Sequence, residues 1–225
     1  MTRPFPDPIA SVAALDEPTR RRLYDFVVRA GRPVGRDEAS AAVGVARPTA
    51  AFHLDRLADE GLLDVVHQRI SGRTGPGAGR PAKLYLRPSR DVEVSLPQRR
   101  YELVGEVLAA AIDAAETAGT SVRQAVADRA RQVGRDLGST TGSGDVVAVL
   151  EGLGFEPRTE DPTVTLGNCP FHKLARRHTD LVCTLNLHLV EGLLDSLGAP
   201  DLRARLDPAD GRCCVVIEGV APTAP

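Results

Sequence analysis

The chain has 225 residues, 28 Lys and Arg against 30 Asp and Glu, a net charge of −2 and no Trp, so its core must be built from Leu, Val and Ala. Nowhere do 18 apolar residues follow one another, and the start MTRPFPDPIASVAAL lacks a charged segment followed by an apolar run; a membrane span and a leader are excluded from expectation, and a soluble, cytoplasmic protein is expected. The length suits one large domain or two small ones. Charge favours two: residues 1–97 carry 15 Lys and Arg against 12 Asp and Glu (+3), residues 98–225 carry 13 against 18 (−5), so the basic half is the one expected to touch nucleic acid.

In chain order, residues 9–15 predict a short apolar helix. Asp16-Glu17-Pro18-Thr19 opens a second, with Leu23, Phe26, Val27 and Ala30 on one face. Residues 37–43 predict an Ala-rich helix stopped by Gly44, and Arg47-Pro48 starts another running to Glu60. Proline suits a first helical turn, and two helices joined by about three residues containing Gly make a helix-turn-helix. Ala50, Leu54 and Leu57 fall at core spacing, which turns Arg47, Thr49, Ala51, Phe52 and His53 to the outside or the margin. These five are candidate DNA contacts, since a helix fits the major groove, where Arg reads guanine and an apolar group meets the thymine methyl.

Residues 62–66 and 83–86 predict a strand pair, and between them lies a wing. From position 66 to 90 six basic residues stand without one acid: Arg69, Arg73, Arg80, Lys83, Arg87 and Arg90. Such a surface suits phosphate, and Arg69, Arg73, Arg80 and Lys83 join the candidate DNA contacts. The tip holds Gly79-Arg80-Pro81, similar to the core of an AT-hook and equally compatible with a simple turn. The run ARPTAAFHLDRLADEGLL followed by a basic wing resembles the winged helix-turn-helix regulators of the ArsR-like class over about the first 90 residues. That resemblance implies operator DNA as partner and no catalysis.

Residues 87–98 have strand and linker character. Helical spacing returns over residues 98–118, where Leu103, Val104, Val107, Leu108, Ala111, Ile112 and Ala115 form a face broad enough to suggest a homodimer interface. Ser121 to Gln124 fits a capping box for a helix to Leu137, and GSTTGSG at 138–144 reads as a flexible joint. Beyond it come a helix (145–153), strands at 155–159 and 163–166, a helix to His178 capped by Asn168-Cys169-Pro170, and a helix from Thr179 to Gly198 with Cys183, Leu187, Val190, Leu194 and Leu197 on one face. A loop DLRARLDPADG then leads to a last strand at 213–219. The expected class is α+β: a winged helix-turn-helix (1–97), a helical dimerisation linker (98–137) and a small C-terminal α/β sensor module of two or three strands (138–225).

All four cysteines lie in that module, which in a reducing compartment argues for metal or redox chemistry. Cys169 and His172 are spaced i, i+3 at a helix start, Cys183 follows on the next helix, and strand alternation favours Cys213 over Cys214 for a buried site. Three thiolates and an imidazole complete a zinc site, and the same set could hold an iron–sulfur cluster; small buried hydrophobes are the plain reading. A Cys169 nucleophile with His172 as base lacks any third orienting group, so no enzyme is expected. The run NCPFHKLARRHTDLVCTLNLHLVEGLL with a Cys-bearing final strand resembles the sensor domain of SufR-type repressors, which implies Cys169, Cys183 and one of Cys213 and Cys214 as cluster ligands. Those repressors often carry a further cysteine where this chain reads Leu194-Asp195-Ser196-Leu197. The expectation is a regulator sensing redox, iron–sulfur or metal status, with a small organic effector as the alternative.

Overall fold

The computed structural model describes residues 7–68, 81–141, 144–160 and 163–219, and the chain divides into two compact units, residues 1–94 and 95–225. The class is α+β, as the patterning predicts.

The first unit runs α1 (Pro8–Ala14), α2 (Pro18–Ala30), β1 (Val34–Gly35), α3 (Arg36–Val43), α4 (Arg47–Asp59), β2 (Asp64–Gln68) and β3 (Ala82–Leu86). Asp7 and Glu17 cap the first two helices, each followed by a proline at a position whose missing N–H costs nothing. Gly44 ends α3 at φ 72°, a left-handed conformation that lets the chain turn at once into α4. The sheet is antiparallel in order β1-β3-β2, with Val65 opposite Tyr85. Leu23, Val27, Val34, Ala39, Ala50, Leu54, Leu57, Leu63 and Tyr85 form its core.

One polar hub locks this unit. Asp55 of α4 accepts from Arg36 of α3 through both carboxylate oxygens (3.0 and 2.8 Å), from Lys83 (2.5 Å) and from the Tyr85 hydroxyl (2.6 Å) of β3. Burial works against the Asp55 charge, but the bonds from Lys83, Tyr85 and Arg36 outweigh it and hold the carboxyl below its ordinary range. Burial and the bond to Asp55 push the Tyr85 hydroxyl up to about 12.

The second unit runs α5 (Tyr101–Ala118), α6 (Val122–Thr141), α7 (Val146–Gly152), β4 (Pro157–Glu160), β5 (Thr163–Leu166), α8 (His172–Ala175), α9 (Thr179–Ser196), β6 (Leu202–Leu206) and β7 (Val215–Gly219). Its sheet is antiparallel in order β4-β5-β7-β6. Helix α9 is the centre: Val182, Leu185, Leu189, Val190, Leu193 and Leu194 are all buried, so the helix is covered far beyond one stripe. It crosses α6 where both helices lack side chains. A methyl built on Gly134 would overlap the Leu189 carbonyl, one on Gly192 the Arg131 carbonyl, and one on Gly138 the Ser196 hydroxyl. Arg131 pairs with Glu191 beside this contact.

Several expectations change here. Residues 87–98 form no strand. The segment read as a joint is helical through Thr141, because Gly138 is there to let α9 approach. The loop after α9 contains β6, giving four strands rather than two or three; its Arg203 and Arg205 alternate with Leu202, Ala204 and Leu206 as an edge strand allows. Helices α5 and α6 belong to the second unit rather than to a separate linker. Much of the broad face of α5 is used inside it, with Val104, Val107, Ala111 and Ala115 buried and Ile112 left 46% exposed.

Two outcomes follow from this packing. Gly134→Ala should lower the urea midpoint of the second unit, overpacking costing about 1–3 kcal/mol, whereas Gly105→Ala, with open space around its Cβ, should raise it by about 0.5–1 kcal/mol; a rise in both would mean the helices do not meet as described. Asp55→Asn should destabilise the first unit at neutral pH. Because the Asp55 carboxyl is depressed when folded, its contribution is present above the ordinary carboxylate range and fades as pH falls through the lower folded value, so the unfolding midpoints of parent and variant should converge on acidification.

Candidate nucleic-acid interface and thiol cluster

Helix α4 is fixed on three sides and open on the fourth. Ala50, Leu54 and Leu57 are fully buried, Asp55 enters the polar hub, and His53 points inward with its Nδ1 3.5 Å from Glu17 Oε2 at the start of α2. His53 is thus a packing residue rather than an outward contact, with its side chain 12% exposed. The open side carries Thr49, Phe52 and Arg56 at i, i+3 and i+7, all exposed, with the Phe52 ring 65% exposed and edge-on to His53. Arg56 escaped the sequence reading, although its spacing from Thr49 places it on the same stripe. Arg47 is exposed at the first turn and paired with Asp37, and Ala51 lies at the margin.

Lys83 is held by Asp55 and lies 5.4 Å from the Tyr85 ring centroid, so its charge is shared with the hub. Arg36 and Tyr85, which the sequence did not single out, fix it there from partners 19 and 30 residues away from Asp55. Arg69, Arg73 and Arg80 lie outside the described residues. At the base of the wing, Arg32, Arg36, Arg47 and Lys83 share a cavity of about 510 Å³ with Asp37 and Glu38.

In the second unit the four cysteines converge from three segments. Cys169 follows β5, Cys183 lies on α9, and Cys213 and Cys214 immediately precede β7. Cys169, Cys183 and Cys213 are buried and Cys214 is half-buried. Cys169 lies near enough to Cys213, Cys213 to Cys214, and Cys214 to Cys183 for each pair to perturb the other's thiol. The Cys213 amide donates to Leu166 O (2.8 Å), and the buried Asn186, one turn beyond Cys183, donates its Nδ2 to Cys213 Sγ (3.2 Å) while its Oδ1 has no partner.

This setting raises the thiol pKa values. The contact with Cys213 and burial push Cys169 up. For Cys213 the contact with Cys169 works downward, but Cys214 and burial outweigh it and push the thiol to about 12. Burial likewise raises Cys183. Among the described residues no three His, Cys, Asp or Glu side chains are arranged as a ready metal site.

His172 is exposed, whereas Cys169, Cys183 and Cys213 are buried. Cys169 and His172 would share a face only if a helix spanned residues 169–172, and α8 starts at His172. Asn168 does not cap that helix either. It is 7% exposed and spends its side chain on Gln98 O (3.1 Å), Gly154 O (2.6 Å) and the Arg99 guanidinium. Thr179, the first residue of α9, donates its hydroxyl to Ala175 O (2.8 Å). His178 is exposed and His188 lies 2.8 Å from Glu191 Oε2.

No helix among the described residues is long and apolar enough to cross a membrane. No curated protein and no solved structure matches the chain. Residues 15–66, spanning α2 to the start of β2, match the family model described as a helix-turn-helix domain. With α3 turning at Gly44 into a helix whose fourth side stays open, the chain carries a helix-turn-helix domain, and that domain points to a DNA-binding transcription regulator.

Proposed function

We propose that the chain is a cytoplasmic, homodimeric regulator that lays α4 in the major groove of duplex operator DNA, with the basic wing on the adjoining backbone, and reads thiol state through its second unit. The observation that carries the DNA contact is the stripe Thr49, Phe52 and Arg56. Phe52 is 65% exposed on a helix whose opposite face is fully buried, with its ring edge-on to His53, and beside Arg and Thr it suits a thymine methyl while Arg56 suits a guanine edge. Arg47 extends the stripe at the first turn. Dimerisation is supported by Ile112, in the second half of α5, and Val122, the first residue of α6, both exposed apolar residues.

Four thiols that neighbour one another in a chain, Cys169 to Cys213, Cys213 to Cys214 and Cys214 to Cys183, support the sensor reading. Oxidation joins two of them: each gives up one hydrogen to a two-electron acceptor and a sulfur–sulfur bond forms. The second reading is an iron–sulfur cluster or zinc, supported by the donor chemistry alone. Cys169, Cys183, Cys213 and Cys214 are the soft ligands that would hold it, and His172 is too exposed to join them. A cluster supplies one-electron chemistry when bound and zinc supplies a fixed cross-link. The thiols' raised pKa values mean that either must displace protons, so retention should strengthen as pH rises.

Phe52→Ala and Arg56→Ala should each weaken binding to a duplex selected from a random pool by the parent protein, a lost base contact costing roughly 1–3 kcal/mol, without moving the unfolding midpoint. Unchanged affinity in both variants would take α4 off the groove. Anaerobic purification followed by an absorption spectrum, metal analysis and operator affinity under reduced and diamide-oxidised conditions tests the sensor. A difference between states is expected; equal affinity in both, with no metal bound, would remove the sensor reading and leave the DNA-binding one intact.

A further inference from the structure

The thiol-sensing reading leaves open how a change at buried sulfurs leaves the second unit, and this inference rests on it. The chain passes from the first unit at Val94 and enters α5 at Tyr101. Between those points its last residues are bound, one after another, to the loop that carries Cys169. The Gln98 carbonyl accepts from Asn168 Nδ2 (3.1 Å). One guanidinium nitrogen of Arg99, Nη1, donates both to Asn168 Oδ1 and to the Cys169 carbonyl (3.0 Å). The Arg100 amide donates to Pro170 O (3.1 Å), and the Tyr101 hydroxyl accepts from the Lys173 amide (3.3 Å). Asn168 is buried, and its second amide hydrogen goes to Gly154 O (2.6 Å), so both ends of its side chain are committed.

Cys169 therefore faces two ways. Its thiol meets Cys213, while its carbonyl is held by Arg99, the first side chain that can sense a shift of the loop. The other thiol-bearing segments have less freedom. Cys183 is on α9, which Gly134 and Gly192 press against α6, and the Cys213 amide is bonded to the end of β5. A change in sulfur bonding is taken up where the restraint is a few loop bonds, from the Asn168 and Arg99 side chains and the Arg100 and His172 amides, rather than a long helix or a sheet.

We propose that Arg99 is the positioning residue that carries the state of the Cys169 loop into residues 95–101, the chain segment that leaves the DNA-binding unit, with Asn168 as its anchor. The bonds of Arg99 to this loop go to the Asn168 side chain and the Cys169 carbonyl, so it acts through the backbone of the loop rather than on a sulfur.

The test uses the full chain, reduced with dithiothreitol or oxidised with diamide, which takes one hydrogen from each of two thiols and becomes the hydrazine as the disulfide forms. Affinity is read by fluorescence anisotropy on the duplex selected by the reduced parent. In the parent the two states should differ by about 5–150-fold, the usual span of site-to-site coupling. In Arg99→Met, which keeps the aliphatic stem and removes the donors, diamide should consume the same number of thiols while the affinity ratio falls toward one. Hydrogen exchange of residues 95–103 should quicken on oxidation of the parent. A full ratio retained by Arg99→Met overturns this proposal alone, as does unchanged exchange in a parent whose affinity shifts, a measurement that holds even if the variant fails to fold. A ratio of one in the parent overturns it together with the sensor reading.

Discussion

The crossing of α6 over α9 is the contact on which the second unit depends. Glycines at 134, 138 and 192 stand where a Cβ would clash, so the helices close until backbone meets backbone at Gly134 and Gly192, and Gly138 makes room for the Ser196 side chain. Glycine in a helix is disfavoured by roughly 1 kcal/mol against alanine, so the sequence accepts weaker helices in return for closer ones. Ion pairs from Arg131 to Glu191 and from Arg135 to Asp195 flank the same line. With α6 so near on one side and the sheet on another, α9 has little surface left for water, and its polar residues must find partners inside. Asn186 does so at Cys213 Sγ, which is why the thiols gather where the central helix meets the start of β7.

A different constraint shapes the first unit. The sides of α4 are assigned in turn: apolar residues to the core, Asp55 to Arg36, Lys83 and Tyr85, and His53 to Glu17. A helix held this way cannot roll, and a reading surface held by packing and polar partners presents its side chains with less freedom to lose on binding. The hub also draws on the wing. Lys83 is the basic residue of the described wing strands, and Asp55 fixes it at the base of the wing against the helix.

How much of this the sequence disclosed depends on the range of the cause. The helix-turn-helix was legible because each signal is local: Pro48 at a first turn, Gly44 at a left-handed turn, Ala50, Leu54 and Leu57 at helical spacing. Gly138 was not, because a glycine serving a close approach from 58 residues away looks like a glycine serving a joint. Asn168 has the chemistry of a cap and the same chemistry serves a tertiary bond to Gln98 and Gly154. Strand β6 shows the alternation Leu202, Ala204, Leu206, but the Pro, Asp and Gly around it gave the stronger local signal, and as an edge strand it buries only Ala204 fully. His172 was paired with Cys169 on a helical spacing that the backbone adopts only from His172 onward.

The burial of the sulfurs has a consequence for how a signal can leave them. Burial and thiol contacts favour the protonated, uncharged form of Cys169, Cys183 and Cys213, so these three offer no charge that a distant group could feel. A disulfide is uncharged as well. Electrostatics therefore distinguishes the two states poorly, and what differs is geometry: two sulfurs in non-bonded contact are drawn to bonding distance, and their backbones must follow. Packed cores move between discrete arrangements rather than deforming smoothly, and here two of the thiol-bearing segments are fixed by a glycine-lined helix crossing and by a strand. The third is a five-residue turn, 167–171, between β5 and α8, tied to the segment before α5 by Arg99, Asn168 and the Arg100 amide. The yielding element and the path out of the unit are then one segment, since the same bonds that restrain the turn are those that fix residues 98–100.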